Sequence, residues 1–112
     1  EGRLAGSSLR VPTPNVSMVA LDFLPSRVPS SVDEVNAVFH DAAKGVLAGI
    51  LNYSDEMLVS SDFNHSPASS TFDATQTVLI RNGEMVHVCS WYDNEWGFSN
   101  RMIDTAVLMG IS

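Results

Sequence analysis

Thr75-Gln76-Thr77-Val78-Leu79-Ile80-Arg81-Asn82-Gly83-Glu84-Met85-Val86-His87-Val88-Cys89-Ser90-Trp91-Tyr92 is the stretch on which the fold turns. Two runs of strand-forming residues flank Asn82-Gly83, the pair that a type I′ turn demands because both central residues take positive φ. The spacing predicts a β-hairpin of 75–81 and 84–92, with Arg81 opposite Glu84, Ile80 opposite Met85 and Leu79 opposite Val86. Met85, Cys89 and Trp91 fall on one face, and Val86 and Val88 on the other. Apolar groups on both faces place the hairpin inside a sheet that is covered on both sides.

Outward from the hairpin, Ser31-Val32-Asp33-Glu34 reads as a capping box in which Glu34 reaches back to the cap amide. The helix that follows carries Val35, Val38, Phe39, Ala42 and Ala43 on one stripe, with Lys44 and Gly45 suited to its end. Segment 7–24 reads as extended and interrupted by Pro12 and Pro14, which cannot donate to a ladder. Beyond the prolines, Val19, Leu21 and Phe23 alternate with Met18, Ala20 and Asp22 at the period of a strand. Short strands are expected near 49–53 and 57–61, and turn composition over 64–70. Asp93-Asn94-Glu95 offers capping residues for a last helix from about 95 to 109. The order β–α–β–β–β–β–α implies an α+β domain, a mostly antiparallel (mixed) sheet with helices packed on it.

The chain has 112 residues, room for one compact domain. Hydrophobic residues at 45% against 17% charged describe a folded soluble chain rather than a disordered one. The net charge of -7 argues against nucleic acid as a partner, because Arg3, Arg10, Arg27, Lys44, Arg81 and Arg101 are scattered and form no basic cluster. One cysteine, Cys89, excludes an internal disulfide and a cysteine metal site. His40, His65 and His87 lack ligand spacing. No apolar run approaches the ~20 residues that span a bilayer. Glu1-Gly2-Arg3-Leu4 reads as neither a signal nor a transit peptide. The sequons at Asn15 and Asn52 are read as chance matches, and a reducing, cytoplasmic location is expected.

Taken residue by residue, the catalytic content is thin. Asp33 and Glu34 are adjacent carboxylates with cap and solvent roles. Ser60, Asp62 and His65 have the composition of a triad without the glycines of a nucleophile elbow. Cys89 lies mid-strand, where no helix N-terminus or cation lowers a thiol pKa, although His87 shares its sheet face. Arg10, placed in a strand ahead of Val11-Pro12-Thr13-Pro14, is either a surface ion pair or a bidentate anion fork. Asn94, at a strand-to-helix junction, is either an N-cap or a ligand amide.

Four stretches carry a resemblance: Arg10-Val11-Pro12-Thr13-Pro14-Asn15-Val16-Ser17, Ser60-Ser61-Asp62-Phe63, Ser69-Ser70-Thr71-Phe72-Asp73-Ala74, and Ser90-Trp91-Tyr92-Asp93-Asn94-Glu95-Trp96-Gly97-Phe98-Ser99-Asn100-Arg101. Together they resemble phosphorylating glyceraldehyde-3-phosphate dehydrogenases, in that family's order, from Gly2 to about Leu108. The resemblance implies that residues 1–112 are the C-terminal portion of the catalytic domain, with the NAD(P)-binding domain outside this chain. It implies oxidation of glyceraldehyde 3-phosphate with NAD or NADP and inorganic phosphate to 1,3-bisphosphoglycerate. A cysteine thiolate attacks the aldehyde, a histidine acts as base, and phosphate captures the resulting thioester. Both catalytic groups lie upstream in the family, and Cys89 matches neither, so no catalytic residue is assigned here and the chain alone is expected to be inactive. Arg10 matches the arginine that binds substrate phosphate. Asn94 matches the asparagine that holds the nicotinamide carboxamide. Phe98 stands where many members have tyrosine. Family members are homotetramers. The alternatives are erythrose-4-phosphate dehydrogenase, with the same chemistry on a longer aldehyde, and a non-catalytic interaction module of the same fold.

Overall fold

A computed structural model describes residues 2–111. The hairpin lies at its centre. Strand β3 (Ser70–Ile80) and strand β4 (Met85–Tyr92) pair antiparallel, with Ile80 opposite Met85 and Leu79 opposite Val86, as the spacing requires. Asn82 (φ 56°, ψ 31°) and Gly83 (φ 95°) both take positive φ, and the Glu84 amide donates to the Arg81 carbonyl at 3.3 Å. This is the type I′ geometry. Arg81 and Glu84 belong to the turn and not to the ladder, so their expected cross-strand pairing does not form. Gly83 has a second constraint: a Cβ there would meet the Pro29 carbonyl oxygen at 2.8 Å.

Strand β1 (Ser17–Phe23) lies antiparallel to β4, and strand β2 (Leu51–Ser54) lies parallel to β3, giving a mixed sheet of order β1-β4-β3-β2. The hairpin is interior, as expected. Helix α1 (Val32–Lys44) covers one face. Val35 packs with Phe72, Ala74, Val86 and Val88, and Phe39 stacks on Phe72 with centroids 4.0 Å apart. Val38 leaves the expected stripe and is 61% exposed. Ser31 Oγ accepts the Glu34 amide at 3.1 Å, but the Glu34 carboxylate reaches one residue further back than expected, to the Ser30 amide and hydroxyl. Those bonds, with Arg27 beside them, hold the Glu34 carboxyl at about 2.

The ladder is broken between Asp73 and Val78, where β3 carries extra residues. Asn36 of α1 clamps this bulge, donating to the Ala74 carbonyl (3.2 Å) and accepting from Thr77 Oγ1 (2.7 Å).

Three expectations are corrected. Residues 57–61 form no strand. Asp62 accepts the Val59 amide at 2.8 Å and draws the chain into a 3-10 turn, Ser60–Phe63, whose Phe63 stacks on Trp91. Residues 7–16 form no strand either; the prolines leave the chain irregular up to Ser17. The sheet is not covered on both sides. On the face opposite α1, Phe63 stacks on Trp91 at one end, while Met18, Val78 and Ile80 are exposed. Helix α2 (Trp96–Ile111) does not cover that face, because Gly97 is its one buried residue among those described. No described helix is long and apolar enough to cross a membrane.

Candidate functional site

β4 ends at Tyr92, and α2 begins at Trp96. Asp93, between them and buried, organises the surroundings. Its Oδ1 accepts the Trp96 amide at 3.0 Å, which caps the helix. Its Oδ2 accepts the His65 amide at 2.9 Å and Asn15 Nδ2 at 2.8 Å. One carboxylate thus ties the 13–16 segment, the 64–65 loop and the start of α2 together. Burial pushes the Asp93 pKa up, but the hydrogen bonds from Trp96, His65, Asn15 and Glu95 outweigh it, and the net shift is downward.

Neighbouring backbone is held in unusual conformations by this cluster. Val16 is buried with φ 69° and His65 has φ 60°, left-handed values that cost a side-chain-bearing residue energy. Asn15 Nδ2 also donates to Asn64 Oδ1 at 2.6 Å, and His65 stacks on Trp96 at 4.5 Å. At Gly97 a Cβ would meet the Ala68 carbonyl oxygen at 2.7 Å. The missing side chain therefore lets the first turn of α2 lie directly on the 68–69 backbone.

Against this cluster lies a cleft of about 360 Å³, walled by the 8–17 segment on one side and by Asn94 and Glu95 on the other. Arg10 and Asn94, 84 positions apart in sequence, line it together. Arg10 is exposed and forms no ion pair among the described residues. It sits on irregular chain rather than the strand expected for it. Asn94 is exposed, and its neighbour Asp93 takes the cap, so the Asn94 amide keeps both donor and acceptor available. The cleft offers one guanidinium fork and one carboxamide, groups suited to an anion such as phosphate and to a planar amide. Glu95 is the carboxylate on its wall.

The model of the glyceraldehyde 3-phosphate dehydrogenase C-terminal domain matches residues 1–94. This chain belongs to that family. It is 60% identical over 109 residues to the chromosomal glyceraldehyde-3-phosphate dehydrogenase of Cupriavidus necator, covering 97% of this chain and 32% of that protein. It is 58% identical to the Cereibacter sphaeroides glyceraldehyde-3-phosphate dehydrogenase (98% of this chain, 32% of that protein) and 53% identical to the Geobacillus stearothermophilus one (95% and 31%). The chain thus spans about a third of the length of the curated relatives it matches.

Sequence reasoning singled out Arg10 and Asn94, which line one cleft, and offered Asp93 among the capping residues, but it did not anticipate that Asp93 gathers Asn15 and His65 or that Gly97 lies against the Ala68 carbonyl. The cap was readable, since Asp93 lies three residues before the first helical amide it accepts. Asn15 had no such signal, because its partners are 49 and 78 residues away.

Proposed function

We propose that the parent protein is a phosphorylating glyceraldehyde-3-phosphate dehydrogenase, acting in glycolysis or gluconeogenesis on glyceraldehyde 3-phosphate and inorganic phosphate as a cytoplasmic homotetramer. In it, residues 1–112 serve as the C-terminal part of the catalytic domain. The observation that carries this reading is that Arg10 and Asn94 line one cleft. Arg10 binds the phosphate of the substrate through its fork. Asn94 donates to and accepts from the nicotinamide carboxamide, fixing which face of the ring meets the substrate. The bound NAD or NADP supplies the hydride acceptor. Asp93 holds the Asn94 backbone still, and orientation of this kind lowers the barrier by removing unproductive geometries. The nucleophilic cysteine, its histidine and the dinucleotide fold lie upstream in this reading, so residues 1–112 alone form no NAD(P)H.

In the full-length enzyme, Arg10→Ala should lower kcat/KM roughly 10- to 150-fold, the equivalent of about 1.5–3 kcal/mol for a charge-assisted contact. A non-phosphorylated aldehyde should be barely affected. Equal losses on both substrates would make Arg10 structural. Rates with erythrose 4-phosphate alongside the triose substrate separate the two members of the fold that use this chemistry.

A further inference from the structure

The two walls of the cleft that Arg10 and Asn94 line are joined first by the sheet, whose β1–β4 ladder reaches as far as Ser17 opposite Tyr92. Beyond that pair, among the described residues, the link between the 8–17 segment and residues 93–95 is one hydrogen bond, from Asn15 Nδ2 to Asp93 Oδ2 at 2.8 Å. Its acceptor is buried, where water competes little for the bond. The same amide nitrogen donates to Asn64 Oδ1 at 2.6 Å, so both donors of the Asn15 side chain are engaged and it is held from two directions.

Little slack separates this bond from the side chains that face the cleft. Asn94 follows Asp93 directly. On the other wall, Val11-Pro12-Thr13-Pro14 lies between Arg10 and Asn15, and each proline fixes its own φ and restricts the residue before it. The Thr13 amide donates to the Val11 carbonyl at 2.9 Å, closing a tight turn within that stretch. Just past Asn15, Val16 is buried at φ 69°, a conformation that a β-branched residue keeps only where its surroundings impose it. Arg10 forms no ion pair among the described residues. Its place in the cleft is therefore set by this stiff segment and by where Asn15 is held.

We propose that Asn15 is a positioning residue that sets the separation of Arg10 from Asn94, and with it the register between the substrate phosphate and the nicotinamide. The inference rests on the roles given above to Arg10 and Asn94. Asn15 acts through them, since both of its donors are committed to acceptors of the protein. Its effect on rate comes from orientation, where a misplacement of about 1 Å costs up to ~10²-fold.

The test is a double-mutant cycle in the full-length enzyme: parent, Arg10→Ala, Asn15→Ala and the double variant, each assayed with glyceraldehyde 3-phosphate and with glyceraldehyde. Asn15→Ala should lower kcat/KM for the phosphorylated aldehyde on the order of 10- to 100-fold and raise the KM for cofactor, while glyceraldehyde loses much less. In the Arg10→Ala background, Asn15→Ala should add to the phosphorylated substrate only the small loss it causes with glyceraldehyde. A merely structural residue would lower kcat on both aldehydes alike and leave the KM values unmoved; that result overturns the proposal. So do losses from Arg10→Ala and Asn15→Ala that multiply in full. If Arg10→Ala itself harms both aldehydes equally, the reading of Arg10 falls and this inference falls with it. A selective Arg10→Ala beside an unselective Asn15→Ala rejects the positioning role alone. Should Asn15→Ala not fold, Asn15→Ser, which keeps a shorter donor, takes its place in the cycle and is judged by the same two outcomes.

Discussion

Asp93 accepts from three stretches of chain that the sequence separates widely, and its own energetics follow from that. Asp93→Ala removes the α2 cap and leaves the Asn15 amide and the His65 N–H without their acceptor. Loss of the cap alone costs about 1 kcal/mol, and the other two bonds add to it, so thermal or urea unfolding should show a larger loss than a surface cap gives. Asp93 also predicts a pH dependence. Its folded pKa lies below the ordinary 3.8, so the unfolded chain binds more protons in acid. The stabilisation is complete above that value and is lost as pH falls through the folded pKa. Stability measured from pH 6 downward should therefore drop below about pH 4, and Asp93→Asn should flatten that drop. Asn94→Asp is expected to leave stability near that of the parent, because Asn94 caps nothing. In the full-length enzyme the same change should raise the KM for cofactor and slow hydride transfer, since an ionised aspartate has no donor. Parent-like cofactor kinetics would remove Asn94 from the site.

Among the elements, the β3–β4 hairpin holds the sheet together, since β1 hangs on β4 and β2 on β3. Its turn is the place to break it. Gly83→Ala would put a Cβ at φ +95° and within 2.8 Å of the Pro29 carbonyl oxygen. Left-handed strain costs about 1–2 kcal/mol for a residue with a Cβ, and the collision with the connector adds to it. Chemical denaturation should show a drop greater than ~1 kcal/mol. A change within a few tenths would mean that the 28–29 connector moves aside freely. The hairpin turn was legible because Asn-Gly between strand-forming runs is a local signal. The β3 bulge was not, since it depends on Asn36 of α1 gripping Ala74 and Thr77 about forty residues away.

For the whole molecule, the dominant feature is uncovered apolar surface. Met102, Ile103, Leu108 and Ile111 on α2 are exposed, as are Met18, Val78 and Ile80 on the open sheet face. Surface of this kind favours association. Light scattering of the 112-residue chain at micromolar concentration should show a dimer or larger species. A single-chain mass at every concentration would show that these patches do not drive self-association. The parent enzyme, in the reading proposed above, would bury them against its other domain and its neighbouring subunits.

Local chemistry determined what the sequence could settle by itself. The Ser31 cap and apolar stripe specify α1, Asn82-Gly83 specifies the hairpin and its register, and the alternation from Met18 to Phe23 specifies β1. Each depends on interactions a few residues apart, so each is written in a short window. The register of β2 against β3 was not: a parallel pair needs a crossover, and where 55–69 returns the chain is decided by Phe63 anchoring on Trp91. Of the capping residues Asp93-Asn94-Glu95, Asp93 takes the α2 cap, because it alone of the three is buried where Asn15 and His65 converge. The meeting of Arg10 with Asn94, and of Asp22 with His87 and Cys89, likewise belongs to the sheet topology, which brings together side chains that no periodicity relates.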